Sequence, residues 1–201
     1  MSRFVPLSGV LAIVLIIVAV IVGGETPDTD DSLREIVSFY RDNDQAGPAA
    51  LLGLGALFFL IFVTTLWNAL RTAEAERRGA STLALVGGTI LVVGMTIFAG
   101  IGFTLGDTAD NLTPAAIQTL NALNSDLFFP LAVGNAAFLL GAGVSAVQTA
   151  ALPKWLGWAA VVLGVFAATP LGFFAFLLMG LWSLIVSVLL WRASPASARP
   201  S

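Results

Sequence analysis

Trp155–Trp191 is a run of 37 residues without a single Asp, Glu, Lys or Arg. Drawn out as one helix it would be about 55 Å long, nearly twice the ~30 Å hydrocarbon thickness of a bilayer. Thr169-Pro-Leu-Gly172 therefore has to break it, because Pro cannot continue a helix and the residue before it is pushed out of the helical region. Two spans result, near 153–169 and 171–191, joined by a tight turn. Four further uncharged runs, Phe4–Gly24, Pro48–Leu70, Gly79–Gly106 and Leu127–Pro153, are each long enough to cross a membrane as a helix. The chain is 58% hydrophobic and 10% charged, where a soluble domain carries about 25% charge. The expectation is an all-α, polytopic transmembrane bundle of six helices, with spans at about 4–24, 48–70, 80–106, 127–150, 153–169 and 171–191. It forms a single membrane domain over 1–193, and 194–201 is expected to be a disordered cytoplasmic tail.

The first run follows Arg3. A secretory signal peptide has an apolar core of about 7–15 residues and a small-residue cleavage site. This run is longer, and Val22-Gly23-Gly24 is a poor cleavage site, so it reads as a retained span.

Two polar, acidic segments interrupt the apolar runs. In Glu25–Gly47, Ser32-Leu-Arg-Glu35 has the form of a capping box, in which the Ser oxygen accepts from the Glu35 amide while the Glu side chain returns to the Ser32 amide. Leu33, Ile36, Val37 and Tyr40 then follow on one helical face. In Asp107–Asp126, Thr113-Pro114 places a capping oxygen before a Pro at the first turn, and Ile117, Leu120 and Leu123 supply an apolar face. Two short external amphipathic helices are predicted, at about 32–44 and 114–125, lying on headgroups or on the bundle.

Six spans put both termini on one side. Arg3, Arg71, Arg77, Arg78, Lys154, Arg192 and Arg199 fall on that side, and only Arg34 and Arg41 on the other. By the positive-inside rule the termini are cytoplasmic and the protein resides in the plasma membrane as a multi-pass protein. Ten of the twelve acidic residues fall outside. A shift of 82 residues aligns Asp44 with Asp126 and Pro48 with Pro130, so that the order span, external helix, span occurs twice around the Arg71–Arg78 loop. If this is a true repeat it is a parallel one, not the inverted kind that often frames a transporter site.

Candidate sites are few. No charge falls within a predicted span, where each would cost about 2.5–3.5 kcal/mol and mark function. The intramembrane polar candidates are Asn135, Thr96 and Thr89, read as interhelical hydrogen-bonding groups or as the lining of a path for a small solute. Asp107, Asp110 and Asp126 bracket one external loop, and Asp28, Asp30 and Asp31 cluster in another. Hard cations such as calcium prefer such oxygen ligands, but solvated loops and helix caps use the same residues. Ala137, Gly141, Ser145 and Thr149 recur every four residues, as do Ala160, Gly164 and Ala168. Such stripes let helices approach closely, within one chain or across a dimer seam.

The chain has no Cys and no His. That removes disulfides, thiolate metal sites and the commonest general base. There is no serine–base pair, no phosphate-binding glycine loop with Lys and no zinc pattern, so no catalytic residue and no cofactor is assigned, and no nucleic-acid partner is expected.

Leu152-Pro-Lys-Trp-Leu-Gly-Trp158 and Glu35-Ile-Val-Ser-Phe-Tyr-Arg-Asp42 resemble segments of small bacterial, often actinobacterial, multi-pass membrane proteins of unknown function, the DUF4386-like group. The resemblance implies about six spans and brings no catalytic residues. The first motif also has a direct physical reading, with Pro starting a helix and two Trp anchoring it at the interface beside Lys154.

These features favour a non-enzymatic interaction or accessory protein that meets the lipid bilayer, and a membrane-protein partner or a second copy, through its helix faces. The alternative is a small transporter or channel for a neutral solute or a cation, which needs a polar path near Asn135. An enzyme acting on lipid ranks third.

Overall fold

The computed structural model describes residues 4–74, 79–169 and 172–193. Arg3, Arg77, Arg78, the Pro170-Leu171 step and the tail 194–201 lie outside the described residues.

Eight α-helices follow in chain order among the described residues: α1 (Ser8–Gly23), α2 (Leu33–Asp42), α3 (Ala46–Glu74), α4 (Ala80–Thr108), α5 (Pro114–Asp126), α6 (Phe128–Thr149), α7 (Lys154–Ala167) and α8 (Gly172–Ala193). A 3₁₀ turn, Val5–Leu7, leads into α1, and another, Ala109–Asn111, extends α4. The described fold is all-helical, as the sequence predicts, and its long helices are membrane-spanning by composition.

One span differs from expectation. α7 has 14 residues, which gives it a length of about 21 Å, short of the ~30 Å hydrocarbon layer. Among the described residues five helical segments are long and apolar enough to cross a membrane, and α7 is a shorter apolar helix beside them. The α5–α6 boundary also has a clear cause. Pro130 is the third residue of α6, and its ring displaces the carbonyl four residues back. One helix gives way to the next at Leu127, although its amide still donates to Leu123 O and its carbonyl accepts from Leu131 N.

The six helices other than α2 and α5 form a closed ring in which each runs antiparallel to its neighbours. Pairings run in opposite register along each contact: Gly55 with Ile16, Gly102 with Ala49, Gly94 with Leu131, Gly164 with Leu140. Trp182 Nε1 donates to Leu156 O at 3.0 Å, tying α8 to α7. Gly9 against Ser187 and Gly180 against Ile13 close the ring between α8 and α1, so the start of α1 and the end of α8 lie at one end.

Lipid tails are as apolar as leucine, so contact between helices in a membrane rests on packing rather than on expulsion of water. Glycine makes that packing tight at the α4–α6 seam. A Cβ on Gly134 would stand 2.6 Å from Leu91 N, and one on Gly141 would stand 2.7 Å from Ala80 O. Gly143 and Gly157 oppose each other in the same way between α6 and α7. The small-residue stripe at Ala137 and Gly141 is thus used against α4 within one chain. Along the axis, the rings of Phe59, Phe62, Phe138 and Trp182 fill the centre with centroids 5.7–5.9 Å apart, Phe59–Phe138 and Phe138–Trp182 edge-to-face and Phe59–Phe62 tilted.

At the other end, α2 and α5 form a cap. Ile36, Tyr40, Leu105, Ala109 and Ile117 make a separate apolar cluster, so the apolar face of α2 lies on the bundle and on α5. The capping box at Ser32 and Glu35 forms as predicted. The Ser32 hydroxyl and amide bonds hold the exposed Glu35 carboxyl below its ordinary range. The helix order long, cap, long does occur twice, and the starts of α2 and α3 meet those of α5 and α6 within one residue of the 82-residue offset, but α6 ends seven residues short of the shifted α3, and α4 is 29 residues where α1 is 16.

Candidate functional site

The cap brings three groups together that lie far apart in sequence. The Tyr40 hydroxyl on α2 donates to Asn121 Oδ1 on α5 at 2.7 Å. Asn121 Nδ2 in turn donates to Pro27 O, in the segment after α1, at 3.4 Å. Burial pushes the Tyr40 phenol up to about 12. Gln45 Nε2 donates to Gly23 O at 3.0 Å, meeting one of the free carbonyls at the end of α1. Asp44 Oδ1 accepts from the Ala46 amide at 2.8 Å and so caps α3.

Beneath this cap the helices part. A cavity of about 340 Å³ is lined at its cap end by Thr26, Tyr40, Gln45 and Asn124, and on its walls by Val20, Leu52, Phe98 and Phe173. A second cavity, of about 320 Å³, shares Val20, Leu52, Phe98, Asn124 and Phe173 with the first and continues past Ile16, Met95 and Phe176. A third, of about 280 Å³, shares Ile16, Met95 and Phe176 with the second and ends among Ile13, Phe59, Met179 and Leu184. The three hollows adjoin through shared lining residues of α1, α3, α4 and α8, with Asn124 of α5 at the cap end and Phe128 and Leu131 of α6 in the second, and are taken together as one chamber. Its lining contains no Asp, Glu, Lys or Arg.

Asn124 stands at the polar end of this chamber, with Thr26, Tyr40, Gln45 and Asn121. The residue is 7% exposed, and its Oδ1 accepts no hydrogen bond. A buried carbonyl oxygen of this kind costs about 1–3 kcal/mol unless a donor meets it, and Asn124 lines both cap-side portions of the chamber. The arrangement suits an amphiphile, polar under the cap and apolar along the helices.

The residues singled out from sequence are placed differently. Asn135 is wholly buried, but neither atom of its amide makes a hydrogen bond, so the expected interhelical bond is not formed. Thr89 and Thr96 face outward, and their hydroxyls donate to Leu85 O and Val93 O of their own helix. The packed face of α4 is set by Gly87, Gly88, Leu91, Gly94 and Met95, and both threonines fall off it. Asp107, Asp110 and Asp126 are exposed, and among the described residues no group of three or more carboxylates could hold a metal ion. Asp31 Oδ2 accepts from the Asp28 amide at 2.9 Å, a local turn. On α5 Ile117 is buried and Leu120 packs half-buried on the same cluster as expected, but Leu123 is 50% exposed, and Asn121 and Asn124 complete the buried face.

Two features escaped the sequence. Asn121 and Asn124 stand four and seven residues after Ile117, and that helical spacing was the available signal. Glu74, counted only among the loop charges, is 5% exposed, and its carboxylate accepts from the Ser81 amide at 2.8 Å and from the Ser81 hydroxyl at 2.7 Å. It therefore caps α4 from the end of α3. Arg71 stacks on Trp67 one turn earlier, 5.0 Å from the ring centroid.

Comparison with protein-family models, with curated proteins and with solved structures finds no match.

Proposed function

We propose that this is a non-enzymatic membrane protein that holds an amphiphile in the chamber beneath its cap and acts as an accessory or presenting factor for it. The observation that carries this reading is a chamber free of charge, with Thr26, Tyr40, Gln45, Asn121 and Asn124 at its cap end and apolar side chains along its length. The charge distribution supports an orientation. Arg71, Lys154 and Arg192 stand at the end of the bundle that holds the termini, whereas the acidic segments and both cap helices stand at the other. By the positive-inside rule the cap is extracytoplasmic and the chamber opens within the outer half of the plasma membrane. The axis filled by Phe59, Phe62, Phe138 and Trp182 favours holding a ligand over passing one through the bundle.

The test is purification from native membranes in mild detergent, followed by mass analysis of everything that co-purifies. The reading expects one lipid-like species at about one per chain, enriched over its share of the membrane. Recovery of bulk lipids in membrane proportions, with none enriched, would overturn it. A stoichiometric second protein would identify what the accessory role serves.

A further inference from the structure

The outer wall of the bundle carries an apolar groove between α7 and α8, independent of the chamber. We propose that it seats one acyl chain of an anionic phospholipid, drawn from the leaflet on the side away from the cap, with the lipid phosphate held between Lys154 and Arg192.

The groove is a hollow of about 540 Å³ walled by Trp155, Trp158 and Val162 of α7 and by Leu178, Leu181 and Ile185 of α8. Trp155 and Trp158 are 61% and 59% exposed, so their rings stand free on the surface. The floor is closed. Trp182 is buried there, and its indole N–H is engaged with Leu156 O at 3.0 Å. An occupant therefore enters from the lipid side and meets apolar groups along its length, as an acyl chain does.

The charge at the rim selects the headgroup. Lys154 opens α7, Arg192 stands in the last turn of α8, and both are exposed. After Asp126 the sequence holds no Asp or Glu, and α1 holds none, so α1, α6, α7 and α8 offer these cations no carboxylate. Among the described residues at this end of the bundle the one carboxylate is that of Glu74, which is buried and bonded to Ser81. A zwitterionic headgroup brings a cation of its own to this rim, and an anionic one does not.

Depth points the same way. α7 has 14 residues and α8 has 22, a difference in length of about 12 Å. Counted from the Trp182–Leu156 bond toward that end, Lys154 lies two residues away, about 3 Å, and Arg192 ten residues away, about 15 Å. Lys154 thus starts deeper than Arg192, where an ammonium without a partner is costly. Its stem carries the charge toward the headgroups, and a short helix draws the headgroups toward it. The two cations bracket the depth of one phosphate, and a tail running down from it enters the groove beside Trp155.

The test places the full chain, with Trp67→Phe and Trp191→Phe, in phosphatidylcholine nanodiscs. Trp155 and Trp158 then report the groove, because the remaining Trp182 is only 3% exposed. Phosphatidylglycerol and phosphatidylcholine with the same brominated chains are titrated in separately, and tryptophan quenching gives their relative affinities. Each cation near the surface favours an anionic lipid roughly fivefold, so the phosphatidylglycerol should be preferred about twentyfold at low salt. Lys154→Gln or Arg192→Gln should each cut the preference to about fivefold, both together should abolish it, and Lys154→Arg should keep it. Ala159→Phe, on the groove lining, should weaken quenching by both lipids. Arg71→Gln, at the end of α3 and outside the groove, should change nothing. Equal affinity for the two lipids overturns the proposal. So does an equal loss with Arg71→Gln, since the preference then belongs to the positive end as a whole. Neither result bears on the chamber.

Discussion

Gly134→Ala should loosen the α4–α6 seam, and the structure sets the size of the effect. The added methyl would stand 2.6 Å from Leu91 N, 2.9 Å from Leu91 Cα and 3.1 Å from Gly87 O. All three are backbone atoms of α4, so no side-chain rotation relieves the clash. Restoring a contact of about 3.5 Å requires the helices to separate by about 1 Å, and a gap of that size forfeits a quarter to a half of each dispersion contact along the seam. Overpacking of this kind costs about 1–3 kcal/mol, against a gain of about 0.5–1 kcal/mol for Ala over Gly within a helix. The net expectation is a loss of about 1–2 kcal/mol. Gly100→Ala is the internal control: no atom lies within 4 Å of its Cβ position, so it keeps only the helix gain and should be neutral or slightly stabilising. Gly87→Ala, which would meet the backbone of Ala137 and Phe138 across the same seam, should cost as much as Gly134→Ala. The double variant should cost less than the sum, because the first methyl has already moved the helices apart. Equilibrium unfolding by SDS in mixed micelles, followed by the fluorescence of the five tryptophans, measures all four. Equal stability of Gly134→Ala and Gly100→Ala would refute the close-packed seam.

Tyr40 is the only tyrosine, so phenolate absorbance reports it alone, and it should stay protonated until about pH 12 in the folded protein. Because the folded value lies above the ordinary one of about 10, the contribution is full below pH 10 and is lost as pH rises through 12; ionisation near 10 in folded protein would contradict the buried Tyr40–Asn121 joint. Asn135→Leu replaces an amide with no hydrogen-bond partner by an apolar group of similar volume, and should leave stability unchanged or raise it by about 1 kcal/mol in the same SDS titration. A loss of more than about 2 kcal/mol would mean that the amide has a bonding partner. Ala150 closes α6 at φ 54°, where a side chain costs about 1–2 kcal/mol, so Ala150→Gly should raise stability by about 1 kcal/mol, and a loss would show that the left-handed cap is not the native one.

Much of the fold was legible because charge is so sparse that each charged segment marks a helix end. Ser32 and Glu35 announced α2, Thr113-Pro114 announced α5, and the uncharged runs located the long helices to within a few residues. What was not legible is rotation about each axis. On α4 nearly every residue is compatible with lipid, so hydropathy does not say which side is packed. Their polarity points Thr89 and Thr96 inward, but a threonine that bonds its own helix faces lipid at little cost. The glycines were the better guide, since a helix face lined by Gly87, Gly88 and Gly94 admits a neighbouring backbone and a polar face need not. The chamber was hidden for a related reason. It lies between helices that are far apart in sequence, and its polar end is built by Thr26, Tyr40, Gln45 and Asn124, which in sequence are unremarkable residues of the external segments.

The most direct test is native mass spectrometry of the wild-type chain beside Gly102→Leu, both released from the same membranes in the same detergent. The account predicts a wild-type population carrying one discrete lipid-mass adduct that survives delipidating washes, and a Gly102→Leu population, folded by its SDS midpoint, that lacks it. Adducts of the same mass and occupancy on both proteins would place the lipid outside the chamber and contradict the account.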